Sequence, residues 1–323
     1  MKNRRKLVIL LSSILISIIF PGCFPATGGK NDDPDRAGTI AISGAWALYP
    51  LTIRWADEYQ KLHPDIHFDI SAGGAGKGMA DALANAVDIG MVSREIYPQE
   101  IEQGAYGIAV AKDAVFLTIN YENPVWEKLQ TIGVTKEKLA DIYLTGKITN
   151  WGELIGAPDA SVPIHIFTRS DACGAAETWA TFLGKRQEDL LGIGVYGDPG
   201  VLESVIKDPL AIGFNNLNYA FDFETGFPVT GIMVVPLDVN SNGAVDPDEI
   251  ISNKDLALQA VSTGIYPSPP ARDLYLVTGG IPQGLGRDFI LWVLDDGQSF
   301  VRETGYIPIP TAMLEMERNS LIQ

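Results

Sequence analysis

The sequence predicts an α/β protein of two lobes joined by two hinge crossings, and three observations point there. Strand–turn–helix units recur, first near the start of the chain and again in its middle. Glycine-containing turns fall at the C-terminal ends of the strands, the edge at which open parallel sheets bind ligands. Two long apolar strands, residues 114–120 and 272–278, pass between the two units. At 323 residues, 46% of them hydrophobic, the chain is long enough to build two separate cores.

The first 22 residues stand apart. Lys2, Arg4, Arg5 and Lys6 form a basic stretch, and residues 7–20 are an apolar run of 14, short for a bilayer span. Pro21-Gly22-Cys23 follows, and a small residue before a cysteine at the end of such a run resembles a bacterial lipobox. Residues 1–22 are then a lipoprotein signal peptide, and Cys23 is the lipidated first residue of an exported chain. Residues 23–37 are polar, contain Gly and Pro and have no periodicity, so they read as a tether. Removing Lys2, Arg4, Arg5 and Lys6 takes the formal charge from −16 to −20. That balance argues against a nucleic acid partner, which needs a basic footprint. Any anion has to be captured by a local site, against the field of the whole molecule. With Cys23 lipidated, Cys173 has no partner for an intrachain disulfide.

In chain order, residues 39–43 read as a buried strand and residues 44–49 as a turn. Pro50 suits the first turn of a helix whose apolar face is Leu51, Trp55, Tyr59 and Leu62. A second strand at 66–71 leads into the glycine-rich turn 72–78, then a helix with Met79, Ala82, Leu83, Ala86 and Val87 inward. A third strand, 88–92, ends at Ser93-Arg94-Glu95. The glycine-rich turn has neither GxxxxGK[ST] nor GxGxxG spacing, so nucleotide binding is not supported. After the strand 114–120 come a helix at 136–143, a β-rich run at 162–167, a helix at 198–208, a strand at 210–214 and a last helix at 287–294.

The stretch 168–179 centres the middle unit. A strand feeding a helix start leaves unpaired N–H groups and the positive end of the helix dipole at one spot, and Arg169 adds a fork of donors. Trp179, Phe182 and Leu183 share a helical face, and Gly184 sits where a C′ glycine belongs. Cys173 at that helix start, beside Arg169, is expected to have a lowered pKa.

Several motifs together resemble a known family. They are Ser43-Gly44 with Tyr49-Pro50-Leu51; Gly73-Gly74-Ala75-Gly76; Asp88-Ile89-Gly90-Met91 with Ser93-Arg94-Glu95; Gly146-Lys147-Ile148-Thr149-Asn150-Trp151; Arg169-Ser170-Asp171; and Tyr266-Pro267-Ser268-Pro269-Pro270. In this order they are similar to the phosphate-binding proteins of bacterial and archaeal phosphate ABC importers, a branch of the periplasmic binding proteins. The resemblance runs from Thr39 to about Thr311. It implies the type II flytrap fold, with residues 38–115 and 270–323 as one lobe and 116–269 as the other. It also implies an oxyanion enclosed between the lobes, an ABC permease as partner, a monomer, and a place at the outer face of a membrane, in the periplasm or at the cell surface. Carried over by position, the ligand contacts fall on Ala45, Trp46, Ala47, Leu48 and Tyr49; on Gly74, Ala75 and Gly76 with Ser93 and Arg94; and on Arg169, Asp171, Cys173, Gly174 and Ala175.

Family members place hydroxyls on those loops, where this chain has Ala45, Trp46, Ala47, Ala75 and Cys173-Gly174-Ala175. A hydrogen bond to a charged group contributes about 1.5–3 kcal/mol, so losing three or four unreplaced would cost roughly 5–10 kcal/mol. That corresponds to about 10³–10⁷ in affinity. Two readings follow. Either the Trp46 indole N–H, Lys77 or water replaces the lost donors and phosphate is bound, or Trp46 faces a larger organic anion, for transport or for sensing. Protonated phosphate also needs an acceptor, and Asp171 and Glu95 are the carboxylates near these loops, although Asp171 can equally tether Arg169. An enzyme built on Cys173 would need a base, and none of the three histidines has a spacing that supplies one. No cofactor is called for.

Residues 238–249 fit D-x-[DN]-x-[DN]-G-x5-E. The pattern predicts a structural Ca2+ held by Asp238, Asn240, Asn242, the Ala244 carbonyl, Asp246 and Glu249. The run 231–236 before it reads as a strand rather than a helix.

Overall fold

The structure is a computed structural model and describes residues 37–158 and 161–322. The expected signal peptide, Cys23 and all but the last residue of the expected tether lie outside those residues. Nine strands are present among them: β1 (Gly38–Gly44), β2 (Ile66–Ala72), β3 (Ile89–Val92), β4 (Ala105–Asn120), β5 (His165–Arg169), β6 (Ile193–Val195), β7 (Ala211–Asn216), β8 (Ile232–Val234) and β9 (Ala271–Gly279). They hydrogen-bond in the order β2-β1-β3-β9-β4-β7-β5-β6, with β8 beside β4. β1 lies parallel to β2 and β3, and β5 lies parallel to β6 and β7. The antiparallel pairs β3–β9, β9–β4 and β4–β7 join the two parallel groups.

Parallel neighbours need crossovers, and helices supply them. Helix Tyr49–Leu62 connects β1 to β2, with Pro50 in its first turn and Leu51, Trp55 and Tyr59 buried. Helix Ala75–Leu83 lies so close to the sheet that a Cβ at Gly78 would stand 2.4 Å from the Met91 carbonyl oxygen. It ends at Leu83, so Ala86 and Val87, expected on its inner face, belong to the turn beyond it, and Ala86 is exposed. In the second group, helices Gly174–Phe182 and Gly197–Lys207 follow β5 and β6.

The buried apolar residues form two main cores. One gathers Ile40, Ile42, Met91, Ile108, Val110, Leu274, Leu276 and Phe289; the other gathers Val115, Leu117, Ile119, Trp151, Trp179, Ile212, Phe214 and Ala271. β4 and β9 each contribute to both cores, which makes them the two crossings. β4 starts at Ala105 rather than near 114, because Gly107, Lys112 and Asp113 interrupt its apolar pattern while its pairing with β9 continues. No helix among the described residues is long and apolar enough to cross a membrane.

Candidate functional site

Loops leaving β1, β2, β3 and β5 converge from the two cores. The N–H of Gly76 donates to the Ala172 carbonyl at 3.0 Å. A Cβ on Gly74, whose φ is +91°, would lie 2.7 Å from that same oxygen and 2.8 Å from Asp171 Oδ2. Gly174 is packed so tightly on Ser93 that a Cβ would come within 2.2 Å of both its carbonyl oxygen and its Oγ. A third contact joins the Trp46 ring to Gly197, at the start of helix Gly197–Lys207. The candidate ligand loops thus touch one another directly. They bring together the N-terminal ends of helices Ala75–Leu83 and Gly174–Phe182, and the N–H groups of Ala75, Gly174 and Ala175 meet no acceptor among the described residues.

Side chains at the predicted positions divide sharply. Ala45, Ala47, Leu48 and Ala75 are buried in the first core, so only their main chain can serve a ligand. Trp46 packs near Tyr49 and edge-on to Tyr196, and its indole N–H is buried without a partner.

Arg169, at the end of β5, is 5% exposed. Its Nε and Nη2 donate to the two oxygens of Asp171 at 2.8 and 2.6 Å, and its Nη1 donates to Asp198 Oδ2 at 2.5 Å. Burial alone would lower the guanidinium's pKa, but the Asp198 carboxylate and its neighbours more than reverse this and hold the cation. Asp171 also accepts from the N–H of Gly197 at 3.1 Å. It therefore tethers Arg169, and Glu95, the other candidate acceptor, is exposed. Asp198 is fully buried and takes further donors from the main chain and side chain of Asn216.

Arg94 departs from expectation. Its Nη1 and Nη2 grip Glu100 at 2.9 and 2.7 Å, Nη1 also reaches the Glu95 carbonyl, and the guanidinium lies 4.3 Å over the Tyr97 ring. Here it braces the chain after β3 rather than presenting a free fork.

Cys173 is the N-cap of its helix, its Sγ accepting from the Ala176 N–H at 3.3 Å. The lowered pKa expected from its position is corrected: burial, with Asp171 and Asp198 adding to it, pushes the thiol up to about 12 despite Arg169. Iodoacetamide is therefore expected to leave the folded protein's Cys173 unmodified at neutral pH over hours. Mass spectrometry of native and denatured samples checks this, and rapid native labelling contradicts it.

A polar network missed at the sequence level continues behind Arg169. Arg272 on β9 donates to Thr178 Oγ1 at 3.1 Å, to Asp113 Oδ2 at 3.2 Å and to Asn216 Oδ1. Burial raises the Asp113 carboxyl from 3.8 to about 6, with Arg272 opposing. The folded state then binds this proton more tightly than the unfolded state, so the contribution favours folding at low pH and is lost as pH rises through about 6. Relative to Asp113→Asn, the wild type is expected to gain about 2–3 kcal/mol between neutral pH and pH ~4. Urea titrations of both proteins at each pH check this; parallel pH profiles contradict it.

The predicted calcium loop is not supported. Asp238 accepts from the N–H groups of Asn242 and Gly243, and Glu249 from those of Val239 and Asp246. The side-chain amides of Asn240 and Asn242 donate to Asp246, and Ala244 donates its N–H to Asn242. These donors belong to the loop itself, and no group of three or more His, Cys, Asp or Glu among the described residues is arranged to hold a metal.

Comparison with known proteins agrees with this architecture. Bacillus subtilis phosphate-binding protein PstS is 26% identical over 330 residues, covering 98% of each chain. The Methanocaldococcus jannaschii protein of the same name is 26% identical, covering 98% of this chain and 94% of its own. Among solved structures, a Clostridium perfringens protein with bound phosphate superposes at TM-score 0.69 and 23% identity, covering 84% of this chain and all of the other. An ABC-type phosphate transport receptor from Vibrio cholerae gives 0.61 and 19%, with the same coverage. These likenesses establish the two-lobed periplasmic-binding fold. A sequence model described as the PBP superfamily domain matches residues 30–297, and the chain belongs to that superfamily.

Proposed function

We propose that the chain is the substrate-binding receptor of an ABC importer, and that it captures phosphate or an oxyanion of the same shape between its lobes. The observation that carries this reading is the meeting of two helix N-termini from different cores, with the amides of Ala75, Gly174 and Ala175 lacking acceptors and Arg169 fixed in the same loops. Main-chain N–H groups at helix starts bind anions without side-chain hydroxyls, which suits a site whose hydroxyl positions are Ala45, Ala47 and Ala75. Asp171 and Asp198 hold the Arg169 fork in place beside these amides, where its charge favours an anion. The relatives' names support phosphate as the ligand. Capture closes lobe 38–115 with 270–323 onto lobe 116–269, and no bond is made or broken. Lipid on Cys23 would hold the receptor beside its permease at the outer face of the membrane; release of a Cys23→Ser chain into the medium is the matching expectation.

Trp46 favours a second reading. Its buried, unpartnered indole N–H and flat ring at the loop junction suit an organic anion such as an organophosphate. Isothermal titration with phosphate, sulfate, organophosphates and small carboxylates separates the two. Saturable heat with phosphate is the expected result. No heat at about 1 mM phosphate, which leaves less than roughly 4 kcal/mol of binding, overturns the first reading. Heat with an organophosphate alone establishes the second.

A further inference from the structure

Beside the converging loops, the lobes meet again through a pair of side chains. The Tyr97 hydroxyl, after β3, donates to Glu177 Oε1 on helix Gly174–Phe182 at 2.8 Å. Each partner is fixed by bonds that stay within its own lobe. The Tyr97 N–H donates to Glu100 Oε2 at 2.8 Å, the same carboxylate that grips Arg94, and the Arg94 guanidinium lies over the Tyr97 ring. On the other side, Glu177 Oε2 accepts from the Gln187 N–H at 3.1 Å. Gln187 is itself tied to the Asp171 carbonyl and the Cys173 N–H. Hydroxyl and carboxylate are thus in position before they meet, so little side-chain entropy is lost when they do. Burial, and then the bond to Glu177, push the hydroxyl's pKa up to about 12, so it remains a donor throughout the neutral range.

This bond uses none of the amides of Ala75, Gly174 and Ala175, and it can form only while the lobes are together. We propose that Tyr97 and Glu177 are a latch on the closed molecule, Tyr97 being a positioning residue that sets the affinity and release rate of the captured ligand without touching it. Its effect on a ligand rests on the capture reading above; its effect on closure does not. A hydrogen bond to a carboxylate is stronger than one between neutral groups, and both of these side chains are half-buried. Losing it is expected to lower the ratio of closed to open molecules about tenfold. Where closed molecules already dominate, that loss enlarges the free protein. Where open ones dominate, it weakens the apparent affinity by the same factor.

The test is Tyr97→Phe in the chain released by Cys23→Ser, since it keeps the ring against Arg94 and removes only the hydroxyl. Small-angle scattering without added anion and calorimetric titration with phosphate are expected to show a larger radius of gyration, an about tenfold weaker Kd, or both. Phosphate release in stopped flow should be faster to match the weaker Kd. In a Glu177→Ala background the same substitution is expected to add nothing, which a purely local role for Tyr97 beside Arg94 would not produce. Unchanged radius together with unchanged Kd overturns the proposal, and so does a full effect in the Glu177→Ala background. If the parent chain gives no heat with phosphate or with an organic anion, the capture reading fails instead and the radius alone decides. A larger radius in Tyr97→Phe then upholds the latch, and an unchanged one overturns it.

Discussion

Arg169→Met is expected to destabilise the protein by about 3–5 kcal/mol, the usual cost of removing one partner from a buried ion pair. The side chain of Arg169 is 1% exposed, and those of Asp171 and Asp198 are 6% and 0%. Without the guanidinium, Asp198 keeps only the Asn216 donors and Asp171 only the Gly197 N–H, so two carboxylates face a dry interior with too few partners. Lysine does not repair the loss, because one ammonium cannot reproduce a planar fork that reaches Asp171 twice and Asp198 once. Adding Asp198→Asn to Arg169→Met is expected to return part of the stability, since removing the second charge removes the largest penalty; a coupling of about 1–3 kcal/mol is the scale for residues in one network. Urea unfolding of the single and double variants measures both numbers. A single-variant loss below about 1 kcal/mol would mean that the pair is solvated and that Arg169 is not the fixed centre of the site.

How this site was legible in the sequence differs residue by residue. Arg169 and Asp171 were readable because they are two positions apart at the end of a strand, so their meeting is a local matter. Asp198 and Arg272 were not, since each is a lone charge whose partner arrives from a distant element: Asp198 is 29 residues from Arg169, and Arg272 is 159 from Asp113. Arg94 shows an intermediate case. Its partner Glu100 lies six residues on, beyond the Pro98 turn, and a closer look at that short spacing could have found the pair. Cys173 misled for a different reason. A helix start and a nearby arginine lower a thiol's pKa only where water reaches it, and exposure cannot be read from local sequence. The strand–turn–helix order was legible because hydrophobic period and glycine position are local, whereas the length of β4 was set by its pairing with β9.

Gly174→Ala is expected to weaken anion binding at least 100-fold while leaving the melting temperature unchanged or slightly higher. The residue opens helix Gly174–Phe182, where alanine is better tolerated than glycine by up to about 1 kcal/mol. The three atoms nearest an added Cβ all belong to Ser93, so the contact that penalises the change most is the one between the loops. The added methyl meets Ser93, on the opposite core, at 2.2 Å from a main-chain oxygen that cannot rotate away. The inexpensive relief is rotation about β4 and β9, which separates the loops and parts the amides of Ala75 from those of Gly174 and Ala175. An anion then sees one helix start at a time, and a loss of about 2.7 kcal/mol, the equivalent of 100-fold, is what one or two charge-assisted hydrogen bonds contribute. Gly76→Ala, whose Cβ would meet Ala172 Cβ at 2.8 Å and its carbonyl oxygen at 3.0 Å, should act in the same direction but less strongly, because the overlap is smaller than the 2.2 Å contacts at Gly174. Gly200→Ala, with its nearest neighbour at 3.6 Å, is the control that should bind as the wild type does. Titration calorimetry gives the affinities, and small-angle scattering gives the radius of gyration, which should rise for Gly174→Ala alone or with Gly76→Ala. Wild-type affinity in Gly174→Ala would show that the loops can part without harm to capture, and that the contact between lobes is not where the ligand is held.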